Sequence, residues 1–168
     1  MIRVENITKS FDENEILKGI STEFKKGKTN LIIGQSGSGK TVFLKCLLGL
    51  FKIDSGNIRF EGKMLKEMNI EERSILRQEM GMVFQGSALF DSMSVEENIM
   101  FPMQMFTKKI DSEIRDRANI AIKRVNLINA NTKFPDEISG GMKKRVAIAR
   151  AIVMNPKYLF CDEPNSGL

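Results

Sequence analysis

The sequence contains no histidine and no tryptophan, and only two of its 168 residues are cysteines. Without histidine, any acid–base or metal chemistry has to use carboxylates, lysine, hydroxyl groups and bound metal. Cys46 and Cys161 lie far apart in apolar segments, without the spacing of a metal site. We therefore predict a reduced pair inside the core rather than a disulfide or a metal centre.

Long apolar runs are also missing. No stretch approaches the roughly 18 consecutive apolar residues of a membrane-spanning helix, and residues 1–6 lack the apolar centre of a signal peptide. We therefore expect a cytoplasmic protein that reaches a membrane only through a partner. The net charge of +5 is mild; it suits an anionic ligand but does not by itself indicate direct nucleic-acid binding.

The composition that remains is typical of one globular domain, at most with a small lobe, since 42% of the residues are hydrophobic and 28% are charged. Short apolar strands alternate with helical patterns, which favours an α/β fold with a largely parallel sheet. The predicted strands are residues 16–24, 30–33, 57–60, 80–84 and 158–161.

The middle of the chain has helical patterns. Ser94 and Glu97 have the spacing of a capping box, which predicts a helix that Pro102 then interrupts. Asp111 or Ser112 is expected to cap a second helix, with an apolar stripe of Ile114, Ala118, Ile122, Val125 and Ile128. A third helix follows Ser139, with one face formed by Met142, Val146, Ala149 and Val153.

Residues 34–41 read Gly-Gln-Ser-Gly-Ser-Gly-Lys-Thr and match the phosphate-loop pattern GxxxxGK[ST], between an apolar strand and an apolar helix. Glycines let backbone N–H groups curl around a phosphate, and the helix N-terminus adds positive partial charge. Lys40 can reach the β- and γ-phosphates, and the Thr41 hydroxyl can coordinate Mg²⁺. The predicted nucleotide ligands are Gly34, Gln35, Ser36, Gly37, Ser38, Gly39, Lys40, Thr41 and Val42.

Two adjacent carboxylates, Asp162 and Glu163, follow the apolar strand at residues 158–161. An acidic pair of this kind is common in solvated turns, but its place after a buried strand in a chain with a phosphate loop favours a catalytic function. Asp162 is placed to hold Mg²⁺ through water, and Glu163 to polarise the water that attacks the γ-phosphate.

Further motifs resemble the ATPases of ABC systems. Ser139-Gly140-Gly141 opens a helix about a hundred residues after the phosphate loop and, with the basic and apolar residues that follow, resembles the signature motif. Gln85 resembles the Q-loop glutamine, and Phe11 the adenine-stacking aromatic of the A-loop. Residues 162–164 and 166–168 resemble the end of Walker B and the start of the D-loop. The resemblance covers the whole chain.

The resemblance implies an ABC-type P-loop NTPase fold, with a RecA-like core, an N-terminal antiparallel β portion and an inserted helical subdomain. The nucleotide-binding core would comprise residues 1–85 and 146–168, and the helical subdomain residues 86–145. The family continues beyond residue 168 with a further strand and an H-loop histidine, so we expect a C-terminally truncated chain that binds nucleotide, hydrolyses it poorly and self-associates through an exposed sheet edge.

The resemblance also implies how the site works. Two subunits would form a head-to-tail homodimer around two ATP molecules, with Ser139, Gly140 and Gly141 of one subunit contacting the ATP of the other. Phe11 would stack on adenine. Lys40, Gln85 and Glu163 would be the catalytic residues, and Mg²⁺ would be held by Thr41, Gln85 and Asp162.

The expected partner is a transmembrane permease, docked in a groove between Gln85 and Phe101, which would place the protein at the cytoplasmic side of the inner membrane. The apolar residues there either line this groove or pack the helical lobe; they are Ala88, Leu89, Phe90, Met93 and Phe101. The segments 81–90 and 98–102, and Met142, resemble the ATPase of phospholipid-trafficking, MCE-associated systems that maintain outer-membrane lipid asymmetry.

Three alternatives remain open. The chain could serve an ABC importer or exporter of another solute, such as an amino acid, a metal or a lipoprotein. It could be a non-transport ABC ATPase acting on nucleic acid or ribosomes, although it has no coiled-coil heptads and no strongly basic arm. It could also be a module that binds nucleotide without hydrolysing it.

Overall fold

The computed structural model describes residues 1–163, whose contacts form a first unit, Met1–Ile75, and a second unit that begins at Leu76. Each unit has its own sheet. Within the described residues, no helix has both the length and the apolar character needed to cross a membrane. The predicted roles of residues 164–168 lie outside the described residues. The division into core and helical subdomain stays a prediction.

The sheet of the first unit is antiparallel. Its strands are β1 (Ile2–Phe11), β2 (Asn14–Phe24), β3 (Ser55–Phe60) and the short β4 (Lys63–Met64), in the order β2-β1-β3-β4. Ile2, Val4 and Ile7 of β1 are buried, as are Ile58 and Phe60 of β3. β-branched and aromatic side chains at alternate positions favour this half-buried pleated surface.

Helix α1 (Lys40–Leu47) follows the phosphate loop and buries Phe43, Leu44, Cys46 and Leu47. Burial raises the pKa of the Cys46 thiol, so this cysteine is an inert core residue, as predicted. The prediction is wrong for Cys161, which is exposed at the end of a strand.

Residues 30–33 do not form the predicted strand. Leu31 and Ile33 are 79% and 86% exposed, and among residues 1–163 no strand pairs with this segment. A strand needs a neighbour that satisfies its backbone N–H and C=O groups. Among the described residues, the apolar run therefore reaches the phosphate loop without pairing in a sheet.

The second unit contains two parallel strands, β5 (Met80–Val83) and β6 (Tyr158–Cys161), with Met80 opposite Tyr158. The last turn of the helix Gly140–Ile152 lies against β5 at Gly81. Any Cβ at Gly81 would collide with the Ala151 carbonyl oxygen. Glycine is therefore required for this close approach. β6 is less buried than its apolar sequence predicts, because Leu159 is half exposed.

Three helices form the main core of the second unit: α3 (Val95–Phe106), α4 (Asp111–Arg124) and α5 (Gly140–Ile152). Their buried residues include Val95, Ile99, Met103, Ile114, Ala118, Ile122, Val146 and Ala149.

The remaining elements are short. Helix α2 (Ile70–Gln78) precedes β5. Two single 3₁₀ turns cover Leu65–Glu67 and Pro135–Glu137.

The helix boundaries confirm some predictions and correct others. The capping box between Ser94 and Glu97 is formed, but α3 continues through Pro102. Pro102 removes one helical hydrogen bond, and burial of the surrounding Ile99, Met100 and Met103 offsets that loss.

Helix α4 corrects two predictions. Its N-cap is Ile110 rather than Asp111 or Ser112, so Asp111 lies in the first turn, where its negative charge complements the helix dipole. Ile128 lies beyond the end of α4 and is 71% exposed, so the apolar stripe ends before it.

Candidate nucleotide-binding site

The phosphate loop lies between residues 30–33 and α1, and most of it is exposed. The Lys40 ammonium donates to the carbonyl oxygens of Gly34 and Gln35, both at 2.9 Å, while Ser38 N–H donates to the Gln35 carbonyl at 3.2 Å. The loop therefore curls around the lysine side chain. A phosphate that enters the loop meets this ammonium at the N-terminus of α1.

Two glycines make this curl possible. Gly37 has φ 78° with open space around the position of a Cβ, so its backbone can approach a ligand. Gly39 has φ 92° as the N-cap of α1, and a Cβ there would collide with the Ile16 side chain. Both positions favour glycine for conformational reasons. Thr41 and Val42 follow in the first turn of α1, and both are half-buried.

Phe11, the predicted adenine-stacking residue, lies at the end of β1 and is 39% exposed. Its ring contacts Phe51 edge to face, with centroids 5.3 Å apart. Lys9 Nζ lies 5.1 Å from the Phe11 centroid and forms a 2.9 Å ion pair with Asp54. Phe51 and Lys9 thus fix the Phe11 ring while leaving part of it open to a ligand.

The ends of the two parallel strands bring Gln85 and Glu163 together. Gln85 Nε2 donates to Glu163 Oε2 at 2.8 Å. Asp162 is buried beside them in the chain, and its N–H donates to the Val83 carbonyl at 2.9 Å, which continues the strand pairing. The structure therefore places the predicted Q-loop and Walker B side chains at the carboxyl ends of adjacent parallel strands, where α/β sheets bind ligands.

The segment Ser139–Gly141 begins α5. Ser139 is the N-cap, and its Oγ accepts from the Met142 N–H at 3.3 Å. Gly140 and Gly141 are exposed, have no positive φ, and have nothing within 4 Å of where a Cβ would be. Nothing in the described chain therefore requires glycine at either position.

The side chains predicted to bind Mg²⁺ carry hydroxyl, amide and carboxylate oxygens, and their arrangement as a metal site stays a prediction. Among residues 1–163 there is no cluster of three or more His, Cys, Asp or Glu side chains that could hold a metal. Thr41 belongs to the first unit, and Gln85 and Asp162 belong to the second. Hydroxyl, amide and carboxylate oxygens are the hard donors that Mg²⁺ prefers, and it usually takes its other ligands from water and substrate phosphates.

Sequence reasoning missed the residues that hold the loop after Gln85, which contains Ser87 and Ala88. Ser87 and Ala88 have φ 62° and 47°, and Arg150 on α5 donates to both of their carbonyl oxygens, at 2.8 and 2.9 Å. Asn98 is fully buried on α3 and bonds both backbone groups of Phe90. The only available signal was a polar residue, Asn98, on the apolar side of the helix.

The predicted permease groove is mixed in character. Ala88 and Phe90 are exposed, while Leu89, Met93 and Phe101 are half-buried. The Phe90 and Phe101 rings are 4.7 Å apart. Leu89 therefore packs against the core formed by α3, α4 and α5. The exposed members of the set remain available to a partner.

Residues 17–166 match the model of the family described as ABC transporter. The chain is 42% identical over 167 residues to the "Probable ribonucleotide transport ATP-binding protein mkl" of Mycobacterium leprae, covering 99% of this chain and 48% of that protein. It is 39% identical over 168 residues to the "Arginine transport ATP-binding protein ArtM" of Bacillus subtilis, covering 100% of this chain and 70% of that protein. The chain thus spans about half the length of mkl.

The fold also matches a solved structure. The dimeric structure of MJ0796, a bacterial ABC transporter cassette, superposes with a TM-score of 0.91 at 30% identity, covering all of this chain and 76% of that one. MJ0796 has also been solved as a post-hydrolysis dimer bound to ADP and Pi. The predicted ABC-type P-loop NTPase fold is confirmed.

Proposed function

The chain belongs to the ABC transporter family, and we propose that it is the ATP-binding part of a subunit that hydrolyses ATP to drive transport. The observation that carries this proposal is the pair of glycines at the start of α5. Glycine in a helix costs about 0.5–1 kcal/mol relative to alanine, yet neither Gly140 nor Gly141 is required by a positive φ or by a close neighbour. A ligand outside this chain explains them, because a Cβ would keep it from the backbone.

In the proposed dimer, that ligand is the γ-phosphate of ATP held by the phosphate loop of a second copy. The exposed N-terminus of α5 offers backbone N–H groups and a positive partial charge to an anion. Ser139 Oγ accepts from the Met142 N–H at 3.3 Å, and a hydroxyl that accepts one hydrogen bond can also donate its hydrogen to phosphate. MJ0796 is a cassette with a dimeric structure, which supports this arrangement.

The roles of the other residues follow from their chemistry. Lys40 would bind the phosphates, and Phe11 would stack on adenine. Thr41, Gln85 and Asp162 would hold Mg²⁺, which would supply positive charge to the phosphates of ATP. Glu163 would orient the attacking water and accept its proton, and the 2.8 Å hydrogen bond from Gln85 aims this carboxylate.

The test is ATP binding and hydrolysis by the protein at its natural length. We expect Glu163→Gln to retain ATP binding and lower the hydrolysis rate by about a hundredfold or more, since positioned general bases contribute this much. The matched control is Glu113→Gln, an exposed carboxylate on α4, which should leave both unchanged. Failure to bind ATP with Mg²⁺, or full turnover by Glu163→Gln, would overturn the proposal.

For the cargo we propose phospholipid. The segments 81–90 and 98–102, which carry the phospholipid-trafficking resemblance, form one structural feature, since Asn98 Nδ2 donates to the Phe90 and Met93 carbonyls. The names of the relatives refer instead to ribonucleotides and arginine, so the cargo has to be tested directly.

The cargo is decided by the permease with which the protein co-purifies. We expect a permease that, in proteoliposomes with ATP, moves fluorescent phospholipid, and we expect Glu163→Gln to stop this movement. The exposed part of the groove is tested in the same complex by Phe90→Ser, which should reduce permease recovery without reducing ATP binding. ATP-dependent movement of arginine or a ribonucleotide, without lipid movement, would contradict phospholipid as the cargo.

A further inference from the structure

Arg150 makes an unusual set of contacts for a charged side chain. It lies near the end of α5 and is half-buried, and burial lowers the pKa of its guanidinium. Within residues 1–163, no carboxylate lies within ion-pair distance of it. Its partners are neutral: the Ser87 and Ala88 carbonyl oxygens, Asn98 Oδ1 at 3.5 Å, and the Phe90 ring, 5.8 Å from the guanidinium carbon.

A partly buried charge without an opposite charge is costly, so we look for a specific task in the contacts that it makes. One guanidinium nitrogen, Nη2, holds two consecutive carbonyls, at 2.8 and 2.9 Å. The residues that carry these carbonyls, Ser87 and Ala88, both have left-handed backbone, which costs free energy for any residue with a Cβ. Arg150 therefore stabilises a strained conformation of the loop.

This loop begins immediately after Gln85, with Ser87 N–H donating to the Phe84 carbonyl at 3.0 Å. Its other end is fixed by Asn98, which hydrogen-bonds Phe90, Met93 and Ser94. The conformation at Ser87 and Ala88 therefore sets the direction in which the chain leaves Gln85. That direction in turn decides whether Gln85 Nε2 meets Glu163.

Arg150 is also connected to the opposite end of α5. It lies eleven residues after Ser139, which at 1.5 Å and about 100° per residue is roughly three turns, or about 16 Å, on nearly the same face of the helix. A helix of this length moves as a rigid unit on the scale of these contacts. A displacement of Ser139 and Gly140 by bound phosphate would therefore reach Arg150 and the two carbonyls that it holds.

We propose that Arg150 is a positioning residue that links the N-terminus of α5 to Gln85, by holding the Ser87–Ala88 loop in the conformation that aims Gln85 at Glu163. The inference deepens the proposed function and rests on it. Arg150 touches neither nucleotide nor Mg²⁺ in this scheme; it acts through the backbone of the loop.

The test compares Arg150→Gln and Arg150→Lys with unmodified protein at its natural length. We expect Arg150→Gln to lower kcat about tenfold while the KM for ATP changes less than about twofold, because phosphate-loop binding is untouched. Arg150→Lys should be intermediate, since an ammonium cannot reproduce the planar donor geometry. The control is Arg117→Gln, an exposed arginine on α4, which should change neither quantity.

Hydrogen exchange separates positioning from general stability. We expect Arg150→Gln to speed amide exchange at Ser87 and Ala88 by about tenfold or more, and to abolish the added protection that the ATP analogue AMP-PNP with Mg²⁺ gives these amides in unmodified protein. Exchange that rises equally throughout α3 and α5, with kcat unchanged per folded molecule, would show a merely structural residue and overturn the proposal.

Ala88→Gly provides a rescue experiment. Glycine adopts positive φ without the steric cost of alanine, so the double variant Ala88→Gly/Arg150→Gln should recover part of the lost kcat. Absence of any recovery would contradict a role in holding this backbone conformation. If the unmodified protein shows no ATP turnover, the proposed function fails, whereas exchange at Ser87 and Ala88 with AMP-PNP still decides whether Arg150 holds the loop.

Discussion

At the scale of single residues, the site depends on side chains held by neighbours that are far away in sequence. Phe11 is such a residue. Its partner Phe51 comes from the segment after α1, and Asp54 anchors the same strand through Lys9 and through the Ser10 N–H at 2.6 Å. These contacts orient one exposed aromatic face, which is what an adenine ring needs for stacking.

We therefore predict that Phe11→Ala weakens ATP binding by about tenfold or more, since stacking of a base on an aromatic ring is worth about 1–3 kcal/mol. Phe11→Tyr should retain affinity because the stacking face is preserved. Titration with a fluorescent ATP analogue measures both. Phe134→Ala, a similarly exposed phenylalanine in the second unit, serves as the control, and equal affinities for all three variants would remove Phe11 from the site.

The sequence predicts residues of the candidate site where a local pattern carries them. The phosphate loop, Asp162, Glu163 and Ser139 are each embedded in a short motif whose spacing has a physical reason. Arg150, Asn98 and Phe51 could not be found in this way, because their roles depend on contacts between segments roughly ten to sixty residues apart. Nothing in the local sequence says which carbonyl a guanidinium will meet.

At the scale of elements, local signals predicted helix starts well when the capping residues could be identified. The Ser94–Glu97 box is complete: Glu97 accepts from the Ser94 N–H at 2.7 Å, and Ser94 Oγ accepts from the Glu97 N–H at 3.3 Å. The start of α4 was placed one or two residues late, since Ile110 caps the helix without a side-chain hydrogen bond. The strand at residues 30–33 failed because strand formation depends on a neighbour that local sequence does not reveal.

The capping box has a consequence for stability and its pH dependence. The hydrogen bond from the Ser94 N–H, reinforced by the Ser94 side chain, lowers the pKa of Glu97. A carboxyl whose pKa is lower in the folded state contributes stability above its unfolded pKa, and loses that contribution as pH falls through the folded pKa. The contribution is therefore present at neutral pH and absent in acid.

We predict that Ser94→Ala lowers the free energy of unfolding by about 1 kcal/mol at neutral pH, the usual cost of a lost N-cap. Glu97→Gln should destabilise at neutral pH, and its difference from the unmodified protein should disappear at the lowest pH where both remain folded. Urea denaturation followed by circular dichroism measures these free energies. The exposed Glu113→Gln is the comparison, and a Glu97→Gln effect that persists undiminished in acid would contradict the charged hydrogen bond.

At the scale of the whole molecule, the proposed site is assembled from motifs that one copy would present to another. The phosphate loop offers an ammonium and backbone N–H groups to phosphate, and the N-terminus of α5 offers a second set. Gly140 and Gly141 are exposed in the single chain, as is most of the phosphate loop, while Lys40 is half-buried. A dimer that sandwiches ATP would use both, and we therefore expect it to form only when nucleotide is present.

The substitution that isolates this interface is Gly141→Ala in a Glu163→Gln background. A Cβ at position 141 has nothing within 4 Å in the described chain, and alanine is the better helix former by up to about 1 kcal/mol. We therefore predict that Gly141→Ala leaves the melting temperature unchanged or raises it, leaves ATP binding to the monomer intact, and prevents the ATP-dependent dimer. The same methyl group that is harmless in the folded monomer would stand between the α5 backbone and the partner's γ-phosphate.

Light scattering with and without ATP and Mg²⁺ measures the dimer, and a fluorescent ATP analogue measures binding. The measured mass of the Glu163→Gln variant should double when ATP is added, whereas the mass of the variant that also carries Gly141→Ala should not change. Ala147→Gly in the same background is the control, since it weakens α5 at a buried position away from its N-terminus and should lower the melting temperature while preserving the dimer. If Gly141→Ala dimerises normally with ATP, the two glycines do not face the nucleotide of a second copy, and the reason for their presence lies elsewhere.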